Sequence, residues 1–388
     1  MVGCTPKPTQ SSVAPDHHDP CRLVADSASQ LDTLTVALLD SVRRDHFLAP
    51  ANESELLLYR MTFDTPLRLD CRGTALPGLA KSWHKDSAGR VWTLTLKDGV
   101  RVYHDSPLTA HDVVAQWSER KAIESSMSLQ SAVALDDKRI SVTLSRPQDS
   151  VPKILADPVF SLPIAAAQRP PGVRFEMLAG VDSRDALDRG ADLAVTRDPT
   201  LVDYLAGRPE FSAFALPWSR TYVLLQPASA QALSLVGAET DRRSLARDAV
   251  SADARAAEPP FWWNEAESCP TGVASGEIPA SSRVVYLRGD EVARGLAERI
   301  VALAGSAAGL RAAAVEPEEF VPLLRTGSER AYVVALPRRT LAPCRESAAL
   351  PEGARIQPLI DTRAYAIVRK GAPPLAVEWD GTVRVVPR

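Results

Sequence analysis

The sequence predicts a mixed α/β (α+β) chain in two lobes, on three observations. Its 388 residues, at roughly 150 per domain, give about 2.6 domains' worth of chain, too much for one small module. The composition is that of a globular protein, 45% apolar, 24% charged and 6% aromatic, with material for more than one core. In the second half, short apolar strands alternate with helices, and two long extended apolar segments, 216–225 and 356–368, stand on either side of that alternation.

A short apolar strand is expected over 33–39 and a helix over 54–62, where Leu56, Leu57, Leu58 and Tyr59 fall. Residues 82–85, 91–96 and 100–103 read as a three-stranded meander, with turns at Asp86-Ser87-Ala88-Gly89 and Lys97-Asp98-Gly99. Trp92, Leu94 and Leu96 alternate there with Val91, Thr93 and Thr95, which puts the tryptophan on the buried face. Thr109-Ala110-His111-Asp112 has the order of a capping box: the threonine hydroxyl accepts an orphan amide, and the aspartate favours the positive helix end. Val113, Val114 and Trp117 then form the buried stripe of that helix. A strand is expected over 139–144, ended by Pro147, followed by a helix over 183–190 and a strand over 191–196. Further on, 241–257 and 290–304 read as helices, and 284–287 and 331–336 as strands.

Charge and hydropathy remove several function classes. The 45 basic and 48 acidic residues leave a net charge of -3, and they are interleaved along the whole length. Nucleic acid, which needs a clustered basic surface, is therefore not an expected partner. The most apolar long stretch, 300–315, is broken by Arg311 and diluted by Gly305, Ser306 and Gly309, short of a membrane span. Residues 1–20 are rich in Pro, Ser, Thr and charge and bury too little surface to offset ordering, so they read as a tether.

Within that tether, Met1-Val2-Gly3-Cys4 places small residues before a cysteine, as at the cleavage site of bacterial lipoproteins, whose cysteine is acylated. Only three residues precede Cys4, fewer than the basic and apolar segments of a signal peptide; either the start lies upstream or the match is chance. With Cys4 as the lipidation site, Cys21, Cys71, Cys269 and Cys344 form an even set that permits three pairings. The most economical is Cys21–Cys71 with Cys269–Cys344, each closing within one half of the chain; the alternative is four free buried thiols.

A longer pattern begins at Leu76-Pro77-Gly78-Leu79-Ala80-Lys81-Ser82-Trp83. It runs through Gly89, Trp92-Thr93-Leu94 and Leu96-Lys97-Asp98-Gly99-Val100 to His104-Asp105 and Pro107-Leu108-Thr109-Ala110-His111-Asp112-Val113-Val114. This resembles the N-terminal signature of family 5 extracellular solute-binding proteins, the peptide, oligopeptide and nickel receptors of ABC importers. Weaker similarity extends to Leu57–Leu69, Gly190-Ala191-Asp192-Leu193, Trp218–Gln226, Asp241-Arg242 and Ile356–Val368. The resemblance implies a two-lobed periplasmic-binding-protein-like fold (type II, peptide-binding class) with an interlobe cleft. It also implies a monomeric, extracytoplasmic, periplasmic or cell-surface lipoprotein whose partners are a peptide or similar small solute and ABC permease subunits. The lobes are expected at 21–225 plus 356–388 and at 226–355. The chain departs from the family in four places: Ser106 stands where Gly is usual, the Gly-Thr-Gly-Pro-aromatic loop is absent between Pro163 and Asp182, Leu225-Gln226 stands where an Asn is common, and the second lobe is short.

Trp83, Trp92, Trp117, Gly89, Gly99 and Asp112 are accounted for by packing, turns and capping. Ligands of two-lobed receptors lie where the lobes meet, near the strands that cross between them. Trp218, Arg220 and Tyr222 fall on one expected crossing and Asp361, Arg363 and Tyr365 on the other. Aromatic faces there can sandwich a peptide backbone, and Asp361 with an Arg can pair with its termini. The competing reading is an internal Arg/Asp pair that stabilises the hinge. Trp262 and Trp263, after Pro259-Pro260, are further candidates for a cleft wall, against ordinary core packing. No metal or cofactor is expected. Motifs of nucleophile-elbow hydrolases, zincins, P-loops and dinucleotide folds are absent, so the chain does not read as an enzyme. The expected function is capture of a peptide-like solute by hinge closure and delivery to a permease. The alternative is a degenerate solute-binding-fold lipoprotein with a sensory or scaffolding role.

Overall fold

A computed structural model describes residues 19, 21–23, 31, 33–48, 50–102, 106–120, 123, 129–164, 172–227, 239–249, 251–257, 281–305, 308–338 and 354–386. The architecture is organised by one long antiparallel ribbon, the strands Phe211–Gln226 and Arg355–Arg369, at about 3.4 Å per residue some 50 Å long. On one side of its lower half lie three mutually parallel strands, Leu193–Thr196, Leu34–Leu38 and Val173–Met177. Against its upper half lie three more, Ala331–Pro337, Arg283–Leu287 and Arg311–Val315, again parallel to one another. Each half is thus a parallel sheet grafted on a shared ribbon, with a hydrophobic core on both faces, as parallel sheets require.

The helices follow from that requirement. Glu53–Thr62 packs Leu57 and Met61 on one face of the first half, and the small helices Ser183–Asp188 and Pro199–Tyr204 cover the other. Glu291–Ala304 buries Ala293, Leu296, Ala297 and Ile300, a stripe at helical spacing, on one face of the second half. Pro317–Thr326 covers the opposite face with Phe320 and Leu324. A separate four-stranded antiparallel sheet, with Leu129–Ala134, Arg139–Leu144, Val91–Leu96 and Ala80–Lys85 in that order, builds its own core around Trp92, Trp117 and Phe160.

Several sequence expectations are met closely. Val91–Leu96 alternates half-buried and buried residues with Trp92 inside, and Thr109 and Asp112 form the reciprocal capping box of the helix Ala110–Ser118. Two are corrected. The third strand of the meander does not join the sheet: Arg101–Val102 pairs with Ser106–Pro107, and Arg139–Leu144 takes its place beside Val91–Leu96. The expected helix 241–257 ends at Asp248, and Asp253–Ala256 is instead a strand on the ribbon. Its short length and ladder partner outweigh the helical composition of that segment. Cys21 and Cys71 form a disulfide, while Cys4, Cys269, Cys344, Trp262 and Trp263 lie outside the described residues.

Candidate functional site

A cleft of about 350 Å³ opens where the two halves meet. Its walls are the carboxyl ends of parallel strands from both halves, at Arg197, at Leu287 and at Pro337-Arg338. Ligand sites of open α/β sheets collect there because loops and helix N-termini converge at that edge. Two helices present their first turns: Asn52 caps Glu53–Thr62 from one half, and Asp290 caps Glu291–Ala304 from the other. The loop Glu378-Trp379-Asp380 supplies a further wall.

Most charges of the cleft are tied to one another. Glu53 takes Arg197 at 2.6 Å and Arg220 at 3.0 Å. Burial alone would raise its pKa, but the two guanidiniums outweigh burial and hold it down to about 2. Arg197 also donates to Ser219 Oγ at 2.9 Å and Thr362 Oγ1 at 3.1 Å, which fixes it on the ribbon. Asp380 pairs with Arg60 at 2.6 Å, and Glu378 with Arg384 at 2.7 Å. Tyr222, fully buried, donates its hydroxyl to Asp290 at 3.1 Å and so orients that carboxylate at the helix end.

Arg338 stands differently. Its guanidinium lies 3.2 Å from the centroid of the Trp379 ring and donates to the Trp218 carbonyl at 3.4 Å. Burial pushes its pKa down to about 10, with Arg255 acting in the same direction and Asp380 and Asp361 opposing. A guanidinium at a cleft wall can take an incoming carboxylate through paired, charge-assisted hydrogen bonds. Arg338, stacked on Trp379, and the Asp290 carboxylate thus offer an anion site and a cation acceptor along one cleft.

Of the residues expected at the site from sequence, Arg220 lines the cleft and Tyr222 supports it through Asp290. Trp218, Asp361, Arg363 and Tyr365 sit together on the other face of the ribbon. There the Trp218 ring lies 4.7 Å from the Arg255 guanidinium and 4.6 Å from that of Arg363. Asp361 accepts from Thr221 at 2.7 Å and pairs with Arg255 at 3.2 Å. Asp253 takes both Arg363 and the Tyr365 hydroxyl at 2.5 Å. A register shift separates the two faces: Trp218 is opposite Arg363, yet Arg220 is opposite Thr362 and Thr221 opposite Asp361. The bulge therefore turns Arg220 to the cleft and leaves Trp218 and Thr221 on the far side. Sequence reasoning missed Arg338, Trp379, Asp290 and Glu53. Asp290 and Glu53 carried a signal, each standing at a helix start, whereas Arg338 and Trp379 meet across 41 residues of chain with no local pattern.

Comparison with known proteins places this geometry. Residues 74–187 match the family of bacterial extracellular solute-binding proteins, family 5 Middle. A Haemophilus influenzae protein is 27% identical over 124 residues, which is 29% of this chain and 24% of that protein. The periplasmic murein peptide-binding protein MppA of Escherichia coli is 33% identical over 63 residues, 16% of this chain and 12% of MppA. The matched segments thus span a quarter or less of these relatives' length. In three dimensions the likeness is broad. The structure of the E. coli murein tripeptide binding protein MppA superposes with a TM-score of 0.63 at 12% identity, over 93% of this chain and 100% of that one. Listeria monocytogenes OppA bound to peptide gives 0.64 at 11%, over 93% and 100%. NikA from Staphylococcus aureus in complex with Ni(L-His)2 gives 0.65 at 10%, over 90% and 97%. Residues 74–187 thus match the family 5 solute-binding model, and the chain as a whole has the two-lobed periplasmic-binding-protein fold of these structures.

Proposed function

We propose that this protein is the substrate-binding component of an ABC importer, which captures a peptide-like solute in the cleft by hinge closure and delivers it to the permease. The observation that carries the reading is the cleft itself, built at strand ends from both halves with Arg338, Trp379 and Asp290 facing one space. In this reading Arg338 receives the ligand carboxylate, Asp290 its ammonium group, and Trp379 backs the Arg338 guanidinium from beneath. Both halves must touch the ligand for binding to favour the closed form, because a ligand shifts an equilibrium only by its differential contacts. Residues 21–225 with 356–388 form one lobe and 226–355 the other. Trp218, Asp253, Arg255, Asp361, Arg363 and Tyr365 act as a clamp at the hinge. Residues 1–20 act as the tether, anchored through an acylated Cys4, and the protein works outside the cytoplasm as a monomer.

Thermal unfolding against a panel of short peptides, dipeptides and nickel tests the reading. A ligand at a hundred times its Kd stabilises by about 2.7 kcal/mol, a readable rise in Tm. Tri-alanine is expected to give such a rise, and Arg338→Ala and Asp290→Ala to abolish it. No shift with any member of the panel at millimolar concentration would favour a degenerate, sensory role instead.

A further inference from the structure

We propose that the Cys21–Cys71 disulfide and Gly73 are positioning residues for the ligand wall, holding the Trp379 ring in the cleft so that the redox state of the pair sets affinity. The inference rests on the cleft as the solute site.

Trp379 belongs to a short segment that is gripped from two directions. On one side Arg22–Leu23 pairs with Leu375 and Ala376, and the Cys21 carbonyl accepts the Val377 N–H at 2.8 Å. On the other is the hairpin of Leu67–Leu69 and Ala75–Pro77. Asp70 bridges to Glu378, and the Trp379 N–H donates to the Leu69 carbonyl at 3.4 Å. The disulfide joins these two grips to each other, across 50 residues of sequence.

Gly73 then converts the grip into a side-chain position. It sits in the hairpin turn at φ +83°, and a Cβ there would lie 2.9 Å from Cζ3 of Trp379, so the ring rests directly on the backbone. The same ring carries the Arg338 guanidinium 3.2 Å from its centroid. Displacing the turn therefore displaces the tryptophan and its cation together. A two-stranded hairpin with three residues on each strand is marginal without support. At Cys21–Cys71, reduction by dithiothreitol breaks the sulfur–sulfur bond, leaves two thiols and closes the reagent to its cyclic disulfide. The hairpin then meets the Trp379 segment through the Asp70 bridge and the Leu69 carbonyl, without a covalent tie to Cys21.

The test compares the oxidised protein, the dithiothreitol-reduced protein, Cys21→Ser/Cys71→Ser and Gly73→Ala. Three quantities are read: Tm, acrylamide quenching of Trp379 taken by difference from Trp379→Phe, and Kd for tri-alanine by calorimetry. Loss of the cross-link is expected to raise Trp379 quenching and weaken tri-alanine binding about tenfold, as for a site whose supporting shell is loosened. Gly73→Ala keeps the disulfide and is expected to move the same two readouts, so the test stands even if the serine variant fails to fold. Loss of a cross-link that only stabilises would lower Tm and leave quenching and Kd unchanged, and that result would overturn the proposal. If neither tri-alanine nor any other member of the panel binds the oxidised wild type, the solute reading fails by itself. Quenching still decides the positioning, and an unchanged value in both the reduced protein and Gly73→Ala overturns it.

Discussion

Glu53 is the side chain on which the cleft's charge balance turns, because its single charge is shared by two arginines from different elements. Its pKa is about 2 in the folded protein against 4.5 as its ordinary value. A carboxylate depressed in this way contributes stability that is complete above the unfolded value and is lost as pH falls from about 4.5 toward 2, about 3 kcal/mol in all. Urea denaturation of wild type and Glu53→Gln between pH 2 and pH 6 is expected to show a gap that closes on the acid side. Curves that stay parallel to pH 2 would sink this account. Single residues were also where the sequence was least legible. Period-two reasoning puts Trp218 and Arg220 on one face, and the bulge between them sends them to opposite faces. Pro217, which has no N–H to give to a ladder, stands beside that bulge and was the available signal.

Elements were read well wherever their determinants are local. The helix Ala110–Ser118 was visible because its cap is written in four consecutive residues, with Thr109 Oγ1 accepting from the Asp112 N–H at 3.2 Å and Asp112 returning the bond at 2.9 Å. Thr109→Ala is expected to cost about 1 kcal/mol of unfolding free energy, measured by urea titration, and Thr109→Ser close to nothing. Equal losses in both variants would show that the box does not support the helix. Strands that need distant partners were harder. Val173–Met177 and Arg311–Val315 escaped because they are edge strands of parallel sheets, half-buried and without strong alternation. Asp253–Ala256 was taken into a helix because Asp-Ala-Arg-Ala has helical composition, and only the ribbon beside it makes it a strand. In the fold as a whole the pair of strands around Val91–Leu96 and Ala80–Lys85 and the two long extended segments were legible; the other two strands of the four-stranded sheet as its members, and the cleft, were not, because their partners come from segments that sequence order keeps apart.

At the scale of the whole molecule, the ribbon is the shared member of both sheets, and its outer edge changes neighbour midway. Leu193–Thr196 runs along the returning strand as far as Tyr365, and Asp253–Ala256 takes over from Arg363. Asp253 bridges that junction through Arg363 and the Tyr365 hydroxyl. Asp253→Ala is expected to lower unfolding free energy by about 1 kcal/mol, since the pair is partly exposed and screened. It is also expected to broaden the distance distribution between spin labels placed one on each half; a distribution as narrow as in the wild type would remove the clamp role. The ribbon bears equally on how the chain is made. Gln226 and Arg355 are paired at its far end, so everything synthesised between them leaves and re-enters at adjacent points, like an insertion in a host. The host's sheet lacks the strand Arg355–Arg369 until the whole inserted half has been made. Vectorial synthesis therefore offers the inserted half most of its own sheet first, and leaves the earlier-made half open at one edge, awaiting the C-terminal strand and in reach of chaperones.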